Sequence, residues 1–233
     1  MLKVFIGYDP RQPVSYTVLH TSIMTRSTMP VAITPLVIEQ LPLKRQGLTP
    51  FTYSRFLVPW LCKFEGRALF LDADILAQGD IADLWDLAGT DMGKAVWVRQ
   101  GPMKFEWASV MLFDCDHGDN RILTPEYIET AKGLHGIEWT KNIGELPQEW
   151  NHLVGYDAPI ENPKFLHYTQ GVPVWKETLG GGYANEWRTD LKVSTFSKPW
   201  EELMGKSVHA APVRDRLAKQ ETELNALRQR FAR

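Results

Sequence analysis

Cysteine is nearly absent: the 233-residue chain has two, Cys62 and Cys115, too isolated for a metal-type or redox-type motif. What remains for them is a reducing compartment or plain core positions, and we read them as core. An excess of basic charge is missing too, since the formal net charge is -2, and with it any field for nucleic acid. No apolar run is long enough to span a membrane. The first residues, Leu2 to Gly7, follow a strand pattern instead of the charged and apolar segments of a secretory signal. A soluble, cytoplasmic protein is the expectation. Disordered and fibrous classes are excluded by ordinary globular usage, with 44% hydrophobic and 23% charged residues. One catalytic-sized domain with a real core fits this length. Nine Trp leave two uses open, core packing and stacking on sugar rings.

What is present begins with a β-α-β unit. Leu2 to Gly7 is a compact apolar strand ended by Tyr8-Asp9-Pro10; Pro13 can open a helix to about Arg26, and a second strand covers about Val31 to Ile38. Such a unit implies parallel strands and a right-handed crossover. Glu39 to Pro50 reads as a loop and Thr52 to Cys62 as a helix despite Pro59, with Arg55 in its first turn. Arg67 to Leu71 reads as a strand covered on both faces. A short helix near Ile81 to Leu87 follows, then strands at Ala95 to Arg99 and Ser109 to Asp114. Thr124-Pro125-Glu126 is a helix start, with the end expected near Gly133. From Gly133 to Pro163 no period is sustained, which points to a long, ordered, functional loop. A strand at Lys164 to Tyr168 and a helix at Tyr183 to Val193 complete the body.

Composition shifts near Pro212. Apolar residues then fall at 213, 217, 224, 227 and 231, with Gln220 in the remaining heptad place, and six Lys or Arg against three Asp or Glu give this tail +3 and the body -5. The expected organisation is therefore a domain over residues 1–210 and an amphipathic helical tail over 211–233. The tail either docks on the body or pairs two copies into a homodimer. A basic amphipathic helix can also touch a membrane surface, here from the cytoplasmic face.

Two carboxylates one residue apart, Asp72 and Asp74, end the strand from Arg67, where open α/β sheets place their ligands. They can share a hard divalent cation that in turn holds phosphate oxygens; the alternative is one Asp capping a turn and the other solvated. Gly7-Tyr8-Asp9 sets a flexible backbone position, an aromatic and a carboxylate where a base and ribose can dock, or forms a plain turn. Arg55, near a helix N-terminus, suits phosphate, or else pairs with an acid. His167, at a strand end, offers a nitrogen ligand beside the carboxylates, which suits manganese better than magnesium. Gly171 permits close backbone approach to phosphate, and Lys176 can neutralise a departing diphosphate.

Together these residues resemble the GT-A glycosyltransferases, and among them the retaining family 8 enzymes, the group of glycogenin and the bacterial lipopolysaccharide galactosyltransferases. The resemblance covers roughly residues 2 to 180 and is most specific at Phe70-Leu71-Asp72-Ala73-Asp74-Ile75-Leu76, continuing through Gly79-Asp80-Ile81 and Leu84-Trp85. It implies a Rossmann-like α/β fold, a mostly parallel central sheet flanked by helices, with a C-terminal amphipathic helix added here. It further implies a nucleotide loop at Gly7 to Gln12, Tyr8 or Tyr16 against uracil, and donor contact by Arg55 of Tyr53-Ser54-Arg55. Three departures stand out. Trp107-Ala108-Ser109 replaces the family's small polar run before the Val-rich strand. The Asp-Gln pair ahead of the Leu146-Pro147-Gln148-Glu149-Trp150-Asn151 turn is missing, with Glu138 as the substitute carboxylate. The interval from His167 to Gly171 is one residue longer than usual, and Lys176 stands in for the phosphate-binding Lys.

The resemblance implies a metal-dependent transferase. Its donor would be a UDP-sugar, its acceptor a glycan or lipid-linked sugar, and its ion manganese (or magnesium) on Asp72, Asp74 and His167, with retained configuration. Two alternatives stay open: a non-catalytic sugar-nucleotide binder or scaffold, and a sugar nucleotidyltransferase. Against the latter, the stretch Gly7 to Pro13 holds a single Gly, too few for a triphosphate-cradling loop.

Overall fold

Successive residues of the first strand part to opposite sides: Val4 and Ile6 pack with one cluster and Phe5 with another, as expected of a strand covered on both faces. The computed structural model describes residues 1–89, 93–194 and 210–231. The chain divides into two units, Met1–Leu191 and Lys192–Arg233.

The first unit is built on a six-stranded sheet. Strand β1 (Leu2–Gly7) leads through α1 (Pro13–Arg26) to β2 (Val31–Leu36), and β3 (Arg67–Leu71) lies on the other side of β1, both pairings parallel. With β5 (Val96–Val98), β6 (Val110–Asp114) and β7 (Ile143–Glu145) the order is β2-β1-β3-β6-β5-β7. Only β6 runs against its neighbours, so the sheet is mostly parallel. On one face, Leu19 and Ile23 of α1 and Ile81 and Leu84 of α3 (Ile81–Gly89) pack on Val4, Ile6, Leu69 and Leu71. On the other, Phe56, Leu57 and Ile128, the last from α4 (Pro125–Thr130), cover Phe5, Phe70, Met111 and Phe113. Cys62 and Cys115 are free and buried in this second cluster.

The expected helix over Thr52 to Cys62 is broken. A 3-10 turn, Ser54–Leu57, precedes a four-residue α2 (Val58–Leu61) that carries Pro59 in its first turn. Proline lacks the N-H and crowds the carbonyl four residues back, so a continuous helix cannot pass through it. The expected loop over 133–163 contains β7 as the sheet's sixth strand, β8 (His152–Leu153) and the 3-10 turns Leu134–Gly136 and Gln148–Asn151. Trp150 is buried in the core and meets Phe165 edge-on at 5.1 Å, while Trp139 packs half-buried against the core and donates to Asn120 Oδ1 at 3.1 Å.

A second, three-stranded sheet joins β4 (Ile75–Ala77), β9 (Phe165–His167) and β8. The strand β4 escapes the sequence reading because three residues show no period. Its core is Leu76, Leu166, Tyr168 and Val172, covered by Val18 and by Trp187 of α5 (Ala184–Val193).

In the second unit, apart from residues 192–194 at the end of α5, residues 210–231 are described and form one helix, α6 (Ala210–Phe231), with Leu217 and Leu224 exposed. The expected junction near residue 210 borders residues 195–209, which lie outside the described residues, as do the side chains of Val213, Leu227 and Phe231. Among the described residues no helix is long and apolar enough to cross a membrane.

Candidate functional site

Strand β3 delivers Asp72 at its C-terminal end, and the chain turns through Ala73 and Asp74 straight into β4. Because β4 runs antiparallel to β9, Ile75 faces His167, and the Tyr168 N-H donates to Asp74 O at 3.0 Å. A ninety-residue gap in sequence is thus closed by a three-residue ladder. One oxygen each from Asp72 and Asp74 and one ring nitrogen of His167 lie within 4.8 Å of one another. His167 Nε2 stands 3.3 Å from Asp74 Oδ1.

Arg55 holds the first carboxylate from behind. Its Nη1 donates to Asp72 Oδ2 at 3.2 Å and to Ala108 O at 2.9 Å, and its Nη2 lies 3.0 Å from Asp72 Oδ1. The pair is buried. Arg55 sits in the 3-10 turn, not at the start of a continuous helix, and its guanidinium is taken up by this carboxylate and carbonyl. Burial pushes the Asp72 carboxyl up to about 7; Arg55 and His167 pull it down, while Asp74 and Glu106 add to the rise. Burial alone would lower His167, but the carboxylates of Asp74, Asp72 and Glu106 more than offset it, and the net shift is upward.

Two residues that sequence reasoning missed complete the surround. Asn151 Oδ1 lies 3.1 Å from His167 Nδ1, and its Nδ2 donates to Glu106 O at 3.1 Å and Ser109 Oγ at 3.0 Å. A carbonyl can only accept, so the amide orientation is fixed and Oδ1 receives a proton from Nδ1; in the neutral imidazole the Nε2 lone pair then faces Asp74, and in the protonated ring Nε2 donates to it. Glu106 Oε2 is 3.8 Å from the same Nδ1. The only signal for Asn151 was its place at the end of the Leu146–Asn151 turn; Glu106 had none. The segment that departs from the family pattern is a buttress: Ala108 and Ser109 are buried, Ala108 O receives Arg55, and Ser109 O receives the Asp72 N-H at 2.9 Å.

This donor set fits a divalent cation. Among the described residues, the buried Asp72 Oδ1 and Asp74 Oδ1 have ion-pair neighbours at 3.0 and 3.3 Å but no well-directed hydrogen bond, which leaves acceptor capacity that a cation can use. Arg55 uses two of the four lone-pair directions of Asp72, leaving others for an ion. Two carboxylates and an imidazole nitrogen suit a metal between the hardness of magnesium and the softness of zinc.

The other expected residues fall into two groups. Gly7, Tyr8 and Asp9 end β1 one strand away, with Ile6 beside Leu71. A side chain at Gly7 would overlap the Phe51 ring, so only Gly fits there. Tyr8 meets Tyr16 edge-on at 5.6 Å, and the Arg11 guanidinium beside Asp9 holds that carboxyl below its usual range. Gly171, at φ +103°, a backbone conformation that favours glycine, donates to Tyr168 O at 2.8 Å and so lies on the chain that leads from His167. Glu138 and Lys176 are not drawn into the cluster. The Glu138 carboxylate folds over Gly133 and Gly136, and Lys176 is exposed.

The sequence signature described as Glycosyl transferase family 8 matches residues 12–132, more than half of the chain and including both aspartates. The chain belongs to family 8. It is a glycosyltransferase of the GT-A type. Protein CDI of Arabidopsis thaliana is 35% identical over 229 residues, covering 82% of this chain and 86% of that protein. Two solved structures share the fold of this family 8 chain. Glycosyltransferase GlyE of Streptococcus pneumoniae has a TM-score of 0.62 at 17% identity, over 88% of this chain and 63% of its own. The galactosyltransferase LgtC, solved with donor and acceptor sugar analogues, has 0.57 at 14% identity, over 88% of this chain and the whole of its own.

Replacing Asn151 with Leu is expected to weaken divalent-ion binding about 10- to 100-fold, the usual effect of losing a ligand's orienting partner. Titration of the purified chain with manganese by calorimetry measures it. Unchanged affinity in that variant would mean that His167 needs no outer partner.

Proposed function

We propose that this family 8 glycosyltransferase moves a sugar from a UDP-linked donor to a hydroxyl of a glycan or lipid-linked acceptor, with retention at the anomeric carbon and manganese on Asp72, Asp74 and His167. The observation that carries the reading is the convergence of two carboxylates and an imidazole at the strand end of a GT-A sheet. A bound manganese ion supplies electrostatic and Lewis-acid stabilisation of the leaving diphosphate. The chain's own residues do the rest. Arg55 keeps Asp72 aimed and opposes the rise that burial causes in its carboxyl, and Asn151 fixes the ring of His167 so that Nε2 faces Asp74. Tyr8 and Tyr16 offer ring faces and edges to the uracil, Asp9 a carboxylate to the ribose, and Gly7 and Ala73 a backbone without bulk. Gly171 lets the chain approach the phosphates, and Lys176, on the turn that follows, supplies positive charge to them. Glu138 serves on the acceptor side. We assign the transfer to residues 1–210, with the tail over 211–233 apart from the chemistry, and place the protein in the cytoplasm, able to meet a membrane at its inner face.

The test is release of UDP from a panel of UDP-sugars by the purified full chain. Release that requires manganese, stops with a chelator and returns on re-addition is the expected result. A chain that neither releases nor binds UDP in the presence of manganese overturns the donor assignment.

A further inference from the structure

The sequence of α6 contains a charge pattern that its own helix uses only in part: Glu223 has Lys219 four residues before it, while Arg216, Glu221 and Arg228 have no such partner. With Leu217 and Leu224 at position a of a heptad, Phe231 is the next a, and Val213, Gln220 and Leu227 occupy d. Leu217 and Leu224, seven residues apart, are 47% and 48% exposed. Arg216 and Glu223 then stand at g, and Glu221 and Arg228 at e, on the two flanks of the stripe.

Ion pairs within a helix join residues three or four apart. The neighbours of Glu221 at those spacings are Leu217, Ala218, Leu224 and Asn225; those of Arg228 are Leu224, Asn225, Phe231 and Ala232; those of Arg216 are Pro212, Val213, Lys219 and Gln220. None offers an opposite charge. A coiled coil does, because g of one helix meets the following e of its partner, five residues on. Arg216 then meets Glu221 of the second copy and Glu223 meets Arg228, each twice by symmetry, and all four contacts are attractive. In the antiparallel arrangement with full overlap, g faces g and e faces e, so Glu221 would meet Glu221 and Glu223 would meet Glu223. Charge complementarity therefore favours a second copy as the partner, and the parallel arrangement over the antiparallel one with full overlap.

We propose that α6 is a dimerisation element that pairs with α6 of a second copy as a parallel, in-register, two-stranded coiled coil. Leu217 and Leu224 form its seam, and Gln220, the polar residue at d, fixes the register. Unlike docking on its own unit, this pairing depends on the sum of residues 216 and 221 across two chains.

Sedimentation equilibrium of the full chain at tens of micromolar is expected to give twice the 26.7 kDa chain mass. Arg216→Glu and Glu221→Arg, tested separately, each turn two attractive contacts into repulsive ones and should weaken the dimer about tenfold or more. Mixing the two variants should restore dimers at wild-type strength, because every contact is again between opposite charges. Leu224→Lys should abolish pairing while leaving UDP release unchanged. A monomeric wild-type chain, a trimer, or variants that fail to recover on mixing would each overturn the proposal.

Discussion

Asp74→Asn is expected to lower kcat/KM for metal-dependent transfer by about two to three orders of magnitude, the range seen when one preorganised electrostatic group at a reacting charge is removed. The amide keeps the shape of the carboxylate and loses its charge and half of its acceptor capacity. The cluster would then offer one carboxylate and one imidazole, too little charge to hold a divalent ion against a diphosphate. The side chain of Asp74 is 33% exposed and its Oδ1 receives no well-directed hydrogen bond, so little packing is lost with it. The folded chain should survive, with a thermal midpoint within a few degrees of the parent, as for an ordinary surface change. Rates of UDP release with and without manganese, read beside thermal melts, separate the two effects. Transfer at the parental rate in a folded Asp74→Asn chain would sink the assignment of Asp74 as a metal ligand.

Arg55→Met carries the largest expected effect on stability. It strips a buried carboxylate of its ion-pair partner and leaves Ala108 O without the donor at 2.9 Å. Removing one member of a buried pair typically costs about 3–5 kcal/mol, because the remaining charge stays desolvated. For a chain of this size that corresponds to a fall in thermal midpoint of roughly 6–20 °C. The double variant Arg55→Met/Asp72→Asn should regain much of the loss, since no uncompensated charge is left, while UDP release stays absent. Arg55→Lys should behave more like Met than like Arg, because an ammonium cannot span both carboxylate oxygens and a carbonyl at once. A single variant that melts within about 2 °C of the parent would show that Asp72 is not held in this way.

These two results would divide the site into parts with different tasks. Arg55, Ala108, Ser109 and Asn151 form a buried frame, and Asp72, Asp74 and His167 would present the ligand atoms. The segment that departs most from the family pattern, Trp107-Ala108-Ser109, belongs to the frame. Its Ala108 and Ser109 backbone carbonyls do the holding, and a carbonyl is supplied by any residue small enough for the buried position.

Local pattern alone determined a good deal. The short continuous apolar runs of Leu2–Gly7 and Arg67–Leu71, the Pro-initiated α1, and a carboxylate pair at a strand end point to parallel strands and a ligand at their C-terminal edge, because apolar patterning and turn chemistry act over a few residues. The amino acid His167 was legible as a ligand type, and the spacing of α6 was legible as a heptad. Only the tertiary structure decided that Arg55 faces Asp72 instead of open solvent and that β4 pairs with β9. It also placed Glu106 and Asn151 around His167 and left Glu138 and Lys176 outside the cluster. Those outcomes depend on contacts between residues 16 to 92 positions apart, such as Asn151 with His167 and Ile75 with His167. Such contacts are set by which strands pair and which faces pack, and no local period encodes them.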